Sequence, residues 1–134
     1  MKALAVAAGT ALFGAQLVMT MHANAAESRF ERSLRMLDPT ERLAQICDYT
    51  AMKKINEARK PFHPDRVVAD AASSIKISED TVRAAGGAFR SRGKWYELSY
   101  TCTASPDHMK VVTFDFRIGA EIPQDKWAAY DLWQ

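Results

Sequence analysis

The run Arg90-Ser91-Arg92-Gly93-Lys94-Trp95-Tyr96 is the strongest chemical signal in the chain. Three cations surround a tight turn, and two aromatic residues follow at once. Guanidinium forks suit phosphate and carboxylate, and an exposed Trp95 would suit stacking on a sugar face. Arg90, Arg92, Lys94 and Trp95 are therefore the expected contact residues for an anionic ligand. The plainer alternative is a charged hairpin tip that keeps a sheet edge soluble. A second aromatic set, Trp127, Tyr130 and Trp133, repeats at a spacing of three near the C-terminus. It reads as core closure by a terminal helix, or as a platform for a glycan or a partner protein.

Hydrolytic and metal chemistry lack their residues. Beyond residue 25 the histidines are His63 and His108, both beside proline or turn residues. Neither has a metal partner at i+2, i+3 or i+4, so no metal site is expected. Ser105, Asp107 and His108 crowd one turn, which does not present a nucleophile, a base and an orienting group to one another. The carboxylate pairs Asp115 with Glu121 and Asp107 with Glu97 have no distinctive spacing. No glycine loop is built to cradle a phosphate, and no cofactor is expected. The reading leans away from an enzyme.

The address explains the cysteines. Met1-Lys2 is a short positive region, Ala3 to Val18 is apolar, and Ala23-Asn24-Ala25 offers small residues for signal cleavage before Ala26. No Cys follows the apolar run and no twin-Arg pair precedes it. Residues 1–25 thus read as a signal peptide and 26–134 as a single domain, with a periplasmic location. The chain has two cysteines, Cys47 and Cys102, and export to an oxidising compartment makes a disulfide between them the expectation.

The elements that must position these residues follow from periodicity. Phe30, Leu34 and Leu37 fall on one helical face of Glu27 to Leu37. Asp38-Pro39-Thr40-Glu41 reads as a helix start, Asp38 capping and Glu41 completing a capping box, and Pro61 ends that helix near Lys60. Leu43, Ile46, Cys47, Thr50 and Ile55 form its buried stripe. Arg66 to Ala72 and Ile75 to Ile77 are strand candidates, and Ala85-Gly86-Gly87 is expected to be a flexible turn. Lys94 to Thr103 alternates, with Tyr96, Leu98, Tyr100 and Cys102 on one face. Val111 to Ile118 alternates too, with Val112, Phe114, Phe116 and Ile118 together. Ser105-Pro106-Asp107-His108 joins these two strands as a hairpin, and a short helix is expected from Gln124 to Tyr130. The fold class is α+β: N-terminal helices packed on an antiparallel three- to four-stranded sheet, with a short C-terminal helix. A Cys47–Cys102 bridge would clamp the long helix onto the apolar face of that sheet.

Length and charge limit the rest. The chain has 134 residues and a formal charge of +2. Without the first 25 residues, whose one charge is Lys2, 109 residues remain with 17 Lys+Arg against 16 Asp+Glu. That balance argues against a nucleic-acid partner. No second apolar run could span a bilayer, so an integral membrane protein is not expected after signal cleavage.

The segments ERLAQICDYTAMKKI, PDRVVADA and GGAFRSRGKWYELSYTCTASPDHMKVVTFDFRIGAEIP, with a following Trp, resemble the family named domain of unknown function 930. That family consists of small exported alphaproteobacterial proteins. The similarity runs from about Pro39 to Leu132 and includes both cysteines. Ala88 to Tyr96 and the PDHMKV stretch are its most specific pieces. Ala85-Gly86-Gly87 departs from an expected Pro-Gly pairing. The resemblance implies an envelope address and one domain, and it carries over no catalytic residue.

These readings together predict a non-enzymatic periplasmic protein that binds an anionic envelope component, a cell-wall glycan or a lipid headgroup. The alternative is an accessory subunit or inhibitor of an envelope enzyme, acting through the aromatic C-terminus.

Overall fold

The computed structural model describes residues 27–58 and 62–134. The expected signal peptide and the expected helix end at Lys60 lie outside the described residues. Helix α1 spans Arg29–Met36 and α2 spans Pro39–Ala58. Five strands follow: β1 Pro64–Val68, β2 Lys76–Ser78, β3 Thr81–Ser91, β4 Lys94–Ala104 and β5 Val111–Glu121.

Helix starts are set by side-chain caps. Asp38 Oδ1 accepts from the Thr40 and Glu41 amides at 3.0 and 3.1 Å, as its position before Pro39 predicts. The reciprocal capping box occurs at α1 instead, where Ser28 and Glu31 satisfy each other's backbone amides. The open carbonyls at the end of α1 are met by Arg42, which donates to Leu34 O and Leu37 O, both at 2.9 Å. The same guanidinium donates to Asp107 O at 3.0 Å, tying the helix junction to the β4–β5 turn.

The sheet is antiparallel in the order β1-β3-β4-β5, with β2 pairing beside β1 on β3. It has one strand more than the upper expectation, because residues 81–91 form one long strand. Ala85-Gly86-Gly87 lies inside that strand rather than in a turn. Ala84 pairs with Tyr100 and Gly87 with Leu98, so β3 carries one extra residue as a bulge. A Cβ on Gly86 would stand 2.8 Å from the Ser73 backbone nitrogen, which is why a glycine fits there. Strand β1 also ends earlier than expected, at Val68, and residues beyond it form a turn and bends.

The inner face of the sheet packs on α2. Leu34, Leu43, Ile46, Cys47, Ala51 and Ile55 from the helices meet Val82, Phe89, Leu98, Tyr100 and Cys102. Cys47 and Cys102 are disulfide-bonded, with Cα atoms 5.9 Å apart, and both are fully buried. The expected clamp between the long helix and the sheet is present.

The outer face carries a second, smaller core. Ala88 and Trp95 are covered by Ile122 and Leu132, with Val68, Ala71, Trp127 and Tyr130 packed around them. The expected C-terminal helix is here two short 3₁₀ turns, Gln124–Lys126 and Ala128–Tyr130. Trp127 Nε1 donates to Ile122 O at 2.9 Å and holds this segment down. No described helix is long and apolar enough to cross a membrane.

Candidate functional site

The β3–β4 turn is built from Arg92 and Gly93, with φ of 52° and 76°. Ser91 pairs with Lys94 across it. Two positive φ angles in a two-residue loop make a type I′ turn, whose twist matches the flanking strands. Gly93 adopts that backbone freely. Arg92 does so at a cost on the order of 1 kcal/mol, where Asn or Gly would fold with less strain. Its side chain makes no ion pair or hydrogen bond among the described residues, and it stands in solvent.

Its neighbours are arranged by strand register. Arg66 pairs with Arg90, and Arg90 pairs with Trp95, so all three lie side by side on the outer face. Arg90 is not a free cation. Its Nε and a terminal nitrogen grip the Asp65 carboxylate at 3.0 and 2.9 Å. That bidentate bond holds the Asp65 carboxyl below its ordinary range and the Arg90 guanidinium above its own. Lys94 reaches Glu121 at 3.4 Å on the exposed surface, a pair of little energetic weight.

Trp95 corrects the expectation of an exposed stacking residue. It is 0% exposed, because the C-terminal segment covers the outer face at this point. Its Nε1 donates to Trp133 O at 2.7 Å. Trp133 takes the exposed role: its ring lies 5.6 Å from that of Trp95, edge to face, and is 47% exposed. The Arg66 guanidinium carbon sits 5.7 Å from the Trp133 ring centroid. The turn and the C-terminal aromatics, read separately from the sequence, thus meet at one end of the sheet. Arg66, Arg92, Lys94 and Trp133 form the accessible set, with Arg90 and Trp95 supporting them from below. Sequence reasoning missed Arg66 and misplaced the exposed tryptophan. The only prior signal was the Trp133 position at the end of the aromatic stripe.

The opposite end of the sheet is structural. His108 is buried; its Nδ1 lies 2.7 Å from Pro39 O and its Nε2 2.8 Å from Asp80 Oδ1. The ring therefore bridges the start of α2 and the β2–β3 turn. Ser105 Oγ donates to Asp107 Oδ1 at 2.7 Å, and that bond holds the Asp107 carboxyl below its ordinary range. Serine and aspartate face each other while the histidine is bonded elsewhere, so the three do not form a triad.

A further titratable pair sits between helix and sheet. The Tyr100 hydroxyl donates to Asp48 Oδ1 at 2.8 Å. Burial pushes the Asp48 carboxyl up to about 6, opposed by the Tyr100 bond and reinforced by the Asp70 carboxylate. Burial, followed by the Asp48 charge, keeps the Tyr100 hydroxyl protonated. On the uncovered outer face, a shallow depression of about 550 Å³ is lined by Arg83, Ser99, Thr101, Asp115 and Arg117 among others. Among the described residues no group of three or more His, Cys, Asp or Glu is placed to hold a metal ion.

A family model described as Domain of Unknown Function (DUF930) matches residues 34–132. No curated protein and no solved structure matches the chain.

Proposed function

The chain belongs to the DUF930 family, and we propose that this member is a non-enzymatic envelope protein that binds an anionic component through the basic–aromatic end of its sheet. The observation that carries this reading is Arg92. A cation without a partner among the described residues is kept at a left-handed turn position that Asn or Gly would occupy with less strain. Strained backbone of this kind clusters where function constrains it. Arg66 and Lys94 add charge beside it, and Trp133 adds an exposed ring on which a sugar or an acyl boundary can rest. Guanidinium groups recognise phosphate and carboxylate alike, so an acidic glycan and a lipid headgroup share the required chemistry. Export to the periplasm, with cleavage after Ala25, is part of the same proposal. The Met1–Ala25 pattern supports it, and a buried disulfide is in keeping with an oxidising compartment.

The test is co-sedimentation of the protein with phosphatidylglycerol vesicles, with phosphatidylcholine vesicles, and with purified cell-wall sacculi. The expected result is retention on one anionic matrix, weakened by salt. Binding should fall about thirtyfold in Arg92→Asn/Lys94→Gln, as expected for the loss of two surface cations worth roughly 1 kcal/mol each. Trp133→Ala should weaken it as well. Equal retention of wild type and variants, or none on either anionic matrix, would sink the proposal. A stoichiometric protein partner lost with Trp133→Ala alone would favour the accessory-subunit reading instead.

A further inference from the structure

The two edges of the sheet differ in length and in proline content. Strand β1 is five residues long, begins with Pro64 and is bulged between Pro64 and Arg66. Those are the devices that keep an edge from pairing with another chain. Strand β5 is bulged as well, near each of its ends, but it is not shortened. It runs for eleven residues without proline and pairs only with β4 among the described strands. A groove of about 570 Å³, lined by Phe30, Tyr49, Val112 and Phe114 among others, separates it from the helices. Val112 is 66% exposed at the start of the strand.

The strand is also complementary to itself. A two-fold axis through Phe116, perpendicular to the sheet, pairs Thr113–Gly119, the stretch between the bulges near its two ends, with the same residues of a second copy. In that register Asp115 faces Arg117 of the other chain, twice, on the outer face. Phe114 faces Ile118 of the other chain, twice, on the inner face. Neither Asp115 nor Arg117 has an ion pair among the described residues, although they are two apart on one face. Moving the axis to residue 115 sets Asp115 against its own copy, and moving it to 117 does the same for Arg117. Of these three registers the charges favour the one centred on Phe116, in the self-complementary way an isologous interface requires.

We infer that β5 is a homodimerisation edge, joining two copies into one continuous ten-stranded sheet through antiparallel β5–β5 pairing centred on Phe116. The interface lies on a different edge from the proposed ligand-binding end and does not depend on it. The test is sedimentation equilibrium of the protein purified from cells expressing the full chain. Wild type should be dimeric at micromolar concentration. Asp115→Arg places like charges opposite each other twice and should weaken the dimer at least about tenfold. Asp115→Arg/Arg117→Asp restores opposite charges and should restore the dimer. If Asp115→Arg fails to fold by circular dichroism, Arg117→Asp makes the same test from the other side. A wild-type protein that stays monomeric at 100-fold higher concentration would overturn the inference. So would a dimer that neither single charge reversal weakens.

Discussion

Asp48 offers a direct measurement of what a charge costs between α2 and the sheet. Its carboxyl titrates at about 6 in the folded protein against an ordinary value of 3.8, with burial as the main cause. The native state therefore binds this proton more tightly than the unfolded chain. The resulting stability is fully present below 3.8, declines as pH rises, and is gone above about 6. A displacement of that size corresponds to about 3 kcal/mol. Asp48→Asn removes the titration and keeps an oxygen to accept from Tyr100. It also introduces amide donors into a half-buried site, costing about 1 kcal/mol if they go unpaired. The variant should be about 2 kcal/mol more stable than wild type at pH 8 and about 1 kcal/mol less stable at pH 3.5. Urea unfolding of both proteins at the two pH values measures this. Reading the difference between them cancels the titration of every other group. Parallel stability curves across that range would refute the reasoning.

Two further outcomes follow from the packing. Replacing both cysteines with alanine removes a link across a sequence separation of 55 residues, and the loop-entropy relation then puts the loss at about 4 kcal/mol. The melting temperature should drop by about 15 °C or more; a shift under about 3 °C, or a thiol that titrates in the native oxidised protein, would contradict it. His108→Ala should cost about 2–3 kcal/mol in urea unfolding, since it strands Pro39 O and uncouples Asp80. His108→Asn should recover part of that loss because asparagine tolerates the left-handed backbone at this position. Equal stability of His108→Ala and wild type would show that the bridge holds nothing in place.

Local periodicity made much of this molecule legible. Alternation assigned Tyr96, Leu98, Tyr100 and Cys102 to one face, and that face is the one α2 covers. The Cys47–Cys102 link followed from two cysteines and an expected export signal, independent of any fold. The failures share a cause: they depend on what lies across a face. Trp95 falls on the outer face as its alternation requires, yet its burial is decided by a C-terminal segment 27–38 residues downstream. Arg90 reads as a free cation until β1 brings Asp65 beside it from 25 residues upstream. Ala85-Gly86-Gly87 has turn composition, but long-range pairing with β4 holds it extended and the bulge absorbs the mismatch. Half of the candidate site was therefore visible as the Arg92–Lys94 turn. Of the other half, Arg66 was not visible and Trp133 was visible only as the end of an aromatic stripe, since cross-strand register and chain-end docking leave no local pattern.

The disulfide also divides the chain by what a single cut would release. Peptide-bond cleavage anywhere between Cys47 and Cys102 leaves the fragments joined until a reductant is added. Cleavage in the turn after β4 frees a C-terminal fragment that carries β5 and Trp133. The basic turn lies inside the bridged loop and its aromatic neighbour lies outside it. After such a nick, the two halves of the proposed binding end are held together by noncovalent contacts: packing, the β4–β5 ladder, and bonds such as those from Ile122 N to Trp95 O and from Trp95 Nε1 to Trp133 O. Limited proteolysis at Ser105 to Lys110 would thus split that end into separable pieces, even in a protein whose disulfide is intact.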